Sequence, residues 1–421
     1  MLFLGEHARD EEVVFMLTKA FIPYKGYYST PFCRWQGAMA NENSIVLGAK
    51  TAARWIADKN WEPGIFDYLV FGNTISQLHQ FYSAPYAAAL MGCGGIPGIA
   101  VSQACTTGTT CIFQAATFVE TGMVENAFVL TTDRTSNGPH TIWPNPNGPG
   151  GEVISENWLM DNFNADPNVG LRMVETAENV AKEEGITKEA CDRLAVRRYE
   201  QYQMSLADDR AFQKRYMFAA EIQLSRKKSI LVEEDEGIMP TTAEGLAKLK
   251  PLVPGGVLSF GAQTHPADGN ASMVVTTQEK AADLSADASV PIQVIAYGYA
   301  REKKGYRAAA PVPAARMALE KAGLSIGDIK VIKTHNPFVV NDINFANKME
   351  IDVDGFNNYG SSVVYGHPQG STATRLIMEG IEEAVMQGGG YLLWTGCAAG
   401  DCGASLILKF GLPRPCCDGA R

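Results

Sequence analysis

No apolar run in the 421 residues approaches the roughly 20 needed to cross a bilayer, so no membrane-spanning helix is predicted. The opening MLFLGEHARDEE turns acidic at once and is no secretory signal, and the closing CCDGAR is no prenylation box. A cytoplasmic protein is the expectation. Charge is sparse, at 19% of residues, and its balance is −10, which argues against a broad surface for nucleic acid or anionic lipid. None of the nine cysteines are paired as Cys-x-x-Cys, and no histidine sits at finger spacing, so no structural metal site is predicted. An odd cysteine count outside an oxidising compartment points to free thiols. Histidine is scarce, with only six in the chain. What is present is ordinary: 46% hydrophobic residues and enough length for two or three domains around a large core.

The chain repeats itself. Ala52–Asn73, AARWIADKNWEPGIFDYLVFGN, aligns without a gap with Ala315–Asn336, ARMALEKAGLSIGDIKVIKTHN. Each reads as an amphipathic helix, a turn and an apolar strand ending in Asn. A second pair begins at CTTG (Cys105) and HPQG (His367) and continues through small residues, a helix, a glycine (Gly122, Gly388) and a strand, AFVLTT or YLLWTG. The near-constant offset of these elements predicts two halves of one α/β topology, 1–280 and 281–421. The first half is interrupted at about 133–255 by chain holding NGPHTIWPNPNGPGGE, a helical stretch from about Lys188 to Ser205 and the basic SRKKS. An insert of that length between strands predicts a cap or binding subdomain.

Paired halves would bring equivalent loops face to face. Cys105, in SQACTTGTTC, precedes a helix whose apolar face is Ile112, Ala115, Ala116 and Val119. The partial positive charge at a helix start favours a thiolate there. The small neighbours, Gly108 among them, leave room for a thioester and expose backbone N–H groups. A buried small hydrophobe is the competing reading. Cys111 lies about 240° further round the helix and reads as packing. His367 occupies the repeat-equivalent place and is a natural base for Cys105, or else a turn histidine. His335 ends a central strand, where α/β sheets collect their sites, or is a satisfied core histidine. Cys397, in WTGCAAGDCGASLIL, is followed by small residues that let backbone amides approach a carbonyl, or is a packed turn cysteine. His7, His79, His140 and His265 stand in weaker contexts; Cys402, Cys416 and Cys417 read as incidental.

Four blocks in order resemble the thiolase family: VSQACTTGTTC, THNPF, GHPQGSTATR and CAAGDCG, supported by LVFGN, TTAEGLAKLKPL and Asp268–Gly269. The resemblance spans nearly the whole chain. It implies a five-layer αβαβα fold of duplicated α/β halves with an inserted loop subdomain, coenzyme A as substrate, no permanently bound cofactor and no metal. By position, Cys105 would be acylated, His367 would take its proton, and Cys397 would move the proton at the substrate α-carbon. The backbone N–H groups of Cys105 and Ala399 would form one oxyanion hole, and His335 with His367 the other. Thr264 falls where the family contacts the pantetheine arm.

Two positions depart from the family pattern. His335 replaces the usual Asn and would donate directly to a thioester oxygen. Ala399 replaces a glycine, and a positive φ there would be costly. The variant blocks resemble thiolases that work with a small zinc-binding OB-fold subunit, most closely those acting on 2-benzoylsuccinyl-CoA in anaerobic toluene breakdown. The resemblance also implies at least a homodimer. An acetyl-CoA acetyltransferase is an alternative. So is a β-ketoacyl synthase, which would use Cys105, His335 and His367 without needing Cys397. A non-catalytic scaffold subunit would need none of the four.

Overall fold

The computed structural model describes residues 16–411, so His7, Cys416 and Cys417 lie outside the described residues. The first half opens with three short strands, β1 (Phe21–Ile22), β2 (Tyr27–Ser29) and β3 (Cys33–Arg34). Helix α1 (Ser44–Asp58) follows, started by the Asn43 side chain, which accepts from the N–H groups of Ile45 and Val46. Next come β4 (Tyr68–Gly72), α2 (Ser83–Leu90), β5 (Gly98–Val101), α3 (Thr107–Glu120) and β6 (Asn126–Arg134).

The insert then carries a hairpin, β7 (His140–Pro144) with β8 (Val153–Asn157), followed by α4 (Met160–Asn164), α5 (Met173–Glu183) and α6 (Lys188–Arg210). A second hairpin, β9 (Ala220–Ser225) with β10 (Lys228–Val232), and α7 (Ala243–Ala247) complete it. Non-helical angles at Ala207, Asp208 and Asp209 break α6 just past the predicted helical stretch. The chain re-enters the sheet as β11 (Ala267–Thr276), with α8 (Gln278–Leu284) after it. The second half runs β12 (Ile292–Arg301), α9 (Pro311–Ala322), β13 (Val331–His335), α10 (Val339–Met349), α11 (Ser362–Tyr365), α12 (Gly370–Met386), β14 (Gly390–Ala398) and β15 (Cys402–Phe410).

Strand pairing repeats between the halves. In the first, β4 runs parallel to β6, β6 antiparallel to β11, and β11 antiparallel to β2. In the second, β13 runs parallel to β14, β14 antiparallel to β15, and β15 antiparallel to β12. Short β1 pairs with both β11 and β12, joining the two sheets edge to edge.

Period-2 alternation splits each strand between two cores. Leu69, Phe71, Phe128 and Leu130 face α1 and α2, while Val70, Ala127 and Val129 face α3. In the second half Leu393 and Ile407 face α9 and α10, while Leu392, Trp394, Leu406 and Leu408 face α12. Three cores between five layers give the predicted αβαβα architecture, with α3 and α12 in the middle. The predicted apolar face of α3 lies in the central core, where Ile112 and Val119 each contribute about 1.5–3 kcal/mol.

Because α12 is buried from Gly370 to Ala384, its charges need partners inside the protein. Arg375 pairs with Asp235 of the insert at 2.6 Å and with Glu379 at 3.1 Å, and Glu379 pairs with Lys333 of β13 at 3.3 Å. The insert has its own core, formed by Ala177, Val180, Leu194 and Leu246, which closes over Phe338, Val339 and Val340 of the second half. It therefore roofs the segment that follows His335.

Candidate active site

Helices α3 and α12 start side by side because Gly108 has no side chain. A Cβ there would fall 2.4 Å from Thr374 Oγ1 and 2.8 Å from the Gly370 carbonyl. The sequence assigned Gly108 the task of leaving room for a thioester; its closest neighbours are instead on α12. Asp133, at the end of β6, fixes the same junction. It accepts from Gly370 N–H at 2.7 Å and from the N–H groups of Thr74 and Ile75, each at 2.9 Å. Burial raises its carboxyl to about 7, against the pull of those N–H donors.

This junction brings Cys105 and His367 together, and β13 delivers His335 beside them. One ligating atom of each of Cys105, His335 and His367 lies within 4.8 Å of the other two, and the two imidazole rings are 4.1 Å apart. Both rings are anchored through Nδ1, His335 to Ser362 Oγ at 2.8 Å and His367 to Thr372 Oγ1 at 2.6 Å. Both Nε2 atoms are buried and have no hydrogen-bond partner among the described residues. The main chain of His367 is held as well, donating to the His265 carbonyl at 2.9 Å.

Electrostatics reverse one expectation. The helix start predicts a thiolate at Cys105, yet burial pushes this thiol up to about 12; Arg307 and the N–H groups of Ala399 and Cys105 pull the other way and lose. Desolvation, followed by the Arg307 charge, also drives His367 down to about 3. For His335, desolvation, then His367 and Arg307, act in the same direction. The resting trio is a thiol with two neutral imidazoles, not an ion pair.

Cys397 is fully buried at the end of β14, where its sulfur accepts from Asn341 Nδ2 at 3.3 Å. Burial raises its thiol, and it lies near enough to Cys105 for their charges to interact. Ala399 is exposed in the turn after β14. The positive φ feared there falls instead on Gly400 (81°) and Asp401 (57°), so the methyl costs no backbone strain. Cys111 is buried beneath Gly72, as its position on α3 predicted.

A cavity of about 670 Å³ opens onto this centre. The insert lines one side with Trp158, Leu159, Phe163 and Met173; Cys105, Thr264, Arg307, His367, Gln369 and Ala399 line the rest. Thr264 Oγ1 donates to the Ser362 carbonyl, leaving this hydroxyl only its lone pairs for a ligand.

Sequence reasoning missed two residues of this wall. Gln369, held at φ 38°, places Oε1 3.4 Å from Cys105 Sγ. Arg307 is 5% exposed; its hydrogen bonds go to Met173, and its Nε has none. The fully buried ion pairs of the described residues, Arg198–Asp342, Lys333–Glu379 and Arg375 with Asp235 and Glu379, do not include it. The available signal was a lone arginine, GYRAAAPVP, among small residues ahead of α9.

Family models for the thiolase N-terminal and C-terminal domains match residues 26–279 and 290–410. A 3-ketoacyl-CoA thiolase of Pseudoalteromonas translucida is 27% identical, over 90% of this chain and 94% of its own. An acetyl-CoA acetyltransferase of Syntrophomonas wolfei is 28% identical, over 91% and 98%. The crystal structure of human mitochondrial 3-ketoacyl-CoA thiolase in complex with CoA superposes with a TM-score of 0.85 at 22% identity, covering 94% of this chain and 99% of that one.

Proposed function

The chain belongs to the thiolase family, and from that premise we propose that it cleaves 2-benzoylsuccinyl-CoA with coenzyme A, giving benzoyl-CoA and succinyl-CoA through an acyl-enzyme on Cys105. Membership makes it an acyltransferase working on CoA thioesters. The finer reading rests on how its own residues would carry the reaction.

Cys105 Sγ attacks the β-keto carbon, and its proton passes to a neutral imidazole as the S–C bond forms. No thiolate need exist beforehand, which fits a thiol raised by burial beside histidines kept neutral. The N–H groups of Cys105 and Ala399, already directed at the sulfur, would hold the resulting oxyanion. Collapse breaks the bond between the α- and β-carbons. The electron pair becomes the enolate of the departing acyl-CoA; Cys397 gives its proton to the α-carbon and is reprotonated by the imidazolium. The thiol of coenzyme A then attacks the acyl-Cys105 carbonyl and releases the second thioester. No metal enters these steps.

The observation that carries the substrate is Arg307. A buried guanidinium without a counter-ion is costly unless a ligand supplies the anion, and its fork suits a carboxylate. A simple β-ketoacyl-CoA brings no carboxylate; a succinyl branch does. Arg307 thus weighs for 2-benzoylsuccinyl-CoA and against a plain acetyl-CoA acetyltransferase. The Cys-His-His trio would also serve a β-ketoacyl synthase, but Cys397 next to Cys105 favours thiolysis. Exposed Ile142, Trp143, Val153 and Ile154 on the β7–β8 hairpin support a partner such as the small OB-fold subunit. The edge strand β5, with exposed Phe81 and Tyr82 leading into the helix packed on it, supports a homodimer. No helix among the described residues is long and apolar enough to cross a membrane, and a cytoplasmic setting completes the reading.

The test compares two substrates. Because the Arg307 charge also acts on Cys105, His335 and His367, Arg307→Met should slow both substrates, but the loss in kcat/KM should be about thirtyfold larger on 2-benzoylsuccinyl-CoA than on a β-ketoacyl-CoA lacking the carboxylate. Equal losses on both would remove the carboxylate contact. If the wild-type chain, with and without an OB-fold subunit, makes no benzoyl-CoA from 2-benzoylsuccinyl-CoA, the substrate assignment fails.

A further inference from the structure

We propose that Cys105, His335 and His367 form a binding site for a soft divalent cation, Zn²⁺ above all, whose occupancy turns the enzyme off reversibly. The site itself stands on geometry; that filling it stops catalysis rests on the acyl-enzyme reading above.

Zinc sites that keep an open position take three protein ligands, sulfur at about 2.3 Å and nitrogen at about 2.0–2.1 Å. One thiol and two imidazoles make such a set, and one ligating atom of each lies within 4.8 Å of the other two. Around a tetrahedral ion these atoms stand roughly 3.5 Å apart, so each pair closes by about 1.3 Å at most. Rotation of the side chains about their own bonds covers that distance.

The rings are already held as metal-bound rings are. Nδ1 of His335 meets Ser362 Oγ at 2.8 Å and Nδ1 of His367 meets Thr372 Oγ1 at 2.6 Å, while both Nε2 atoms are buried without a hydrogen-bond partner among the described residues. An imidazole that ligates through Nε2 carries its proton on Nδ1 and gives it to a second group, here a hydroxyl oxygen on each ring. A hydroxyl accepts as readily as it donates, so each ring adopts the tautomer the ion needs. Cys105, His335 and His367 are at most 6% exposed. The cavity of about 670 Å³ reaches Cys105 and His367, giving the ion a path in and a fourth position for water.

His335 makes the difference from the family pattern. With the usual Asn in its place, only two ligands of this kind would remain.

On binding, the Cys105 S–H bond breaks, its proton passes to solvent and an S–Zn bond forms. A chelator reverses this as a proton returns, and no electron changes hands. While the ion is bound, the sulfur and both Nε2 lone pairs are occupied, so nucleophile and base are lost together. The Arg307 charge acts on all three groups and opposes the cation, so Arg307→Met should bind it several-fold more tightly.

The test uses Co²⁺, whose tetrahedral thiolate complexes absorb where Zn²⁺ is silent. Adding CoCl₂ to the purified full-length chain should produce the thiolate-to-metal band and the tetrahedral visible bands. ZnCl₂ should abolish them, MgCl₂ should not, and Cys105→Ala and His335→Asn should each fail to develop them. Bands absent from the wild-type chain, or surviving either substitution, would overturn the site. A second arm needs no variant: about 0.1 mM ZnCl₂ should slow iodoacetamide alkylation mapped to Cys105 about tenfold, and EDTA should restore it. Alkylation unchanged by ZnCl₂ would equally overturn the site. Neither arm uses a CoA thioester, so a failed thiolase reading leaves both results standing, and a failed metal site leaves thiolysis standing.

Discussion

The starts of α3 and α12 are the same place in two copies of one topology, yet they hold opposite chemistry. One carries a thiol, Cys105; the other carries an imidazole, His367. The connections at the far ends of the following strands differ as sharply. Between β14 and β15 the chain turns within Ala399, Gly400 and Asp401, and that tight turn offers a backbone N–H to the sulfur. Between β6 and β11 it makes the long insert that walls the cavity and closes over Phe338. Duplication supplied two helix starts that meet at Gly108 and Gly370. Divergence then gave one copy the nucleophile and the cover, and the other the imidazoles and the short donor turn.

That division of labour can be broken from either side. His367→Ala leaves the nucleophile copy intact and should lower thiolysis by about 10²- to 10⁴-fold, with the larger loss in kcat, as steady-state rates would reveal. A loss below about tenfold would mean that His335 alone serves the thiol. The smaller effect is on stability. His335 and His367 are held below the ordinary histidine value in the folded protein. From about pH 6.5 downward, the unfolded chain binds protons that the folded chain refuses. Folding stability is therefore whole above pH 6.5 and drains as pH falls, by about 1 kcal/mol per histidine on reaching pH 5.5. Asp133, raised to about 7, works in the opposite direction, so the histidine share is read as a difference: between pH 7.5 and 5.5 the wild-type chain should lose about 1 kcal/mol more urea stability than His367→Gln.

The duplication was legible in the sequence because glycine and asparagine punctuation recurs with the helix and strand periods, and β4, β6, β13 and β14 pair as those periods imply. Cys105, His335 and His367 were legible because each sits where a period stops. Arg307 was not. It stands in a short turn with no period, and its meaning lies in its having no ion pair among the described residues, which only folding reveals. Ser362 and Gln369 were hidden for a related reason: one is hydrogen-bonded to a ring 27 residues away in the chain, and the other reaches across the seam between the halves. The charge state of Cys105 was misjudged because a helix start is visible in sequence and full burial is not; burial proved the stronger influence. The exposure of Ala399 outside the left-handed region was equally a matter of where the turn placed Gly400.

The central claim is that the acyl group passes through Cys105, with Cys397 needed only for the carbon–carbon step. Intact-protein mass spectrometry after mixing with benzoyl-CoA, followed by peptide mapping, tests it most directly. The wild-type chain and Cys397→Ala should both gain one benzoyl group on the peptide holding Cys105, Cys105→Ala should gain none, and Cys397→Ala should not cleave 2-benzoylsuccinyl-CoA. A benzoyl group on Cys397, or an adduct that survives Cys105→Ala, would contradict the account.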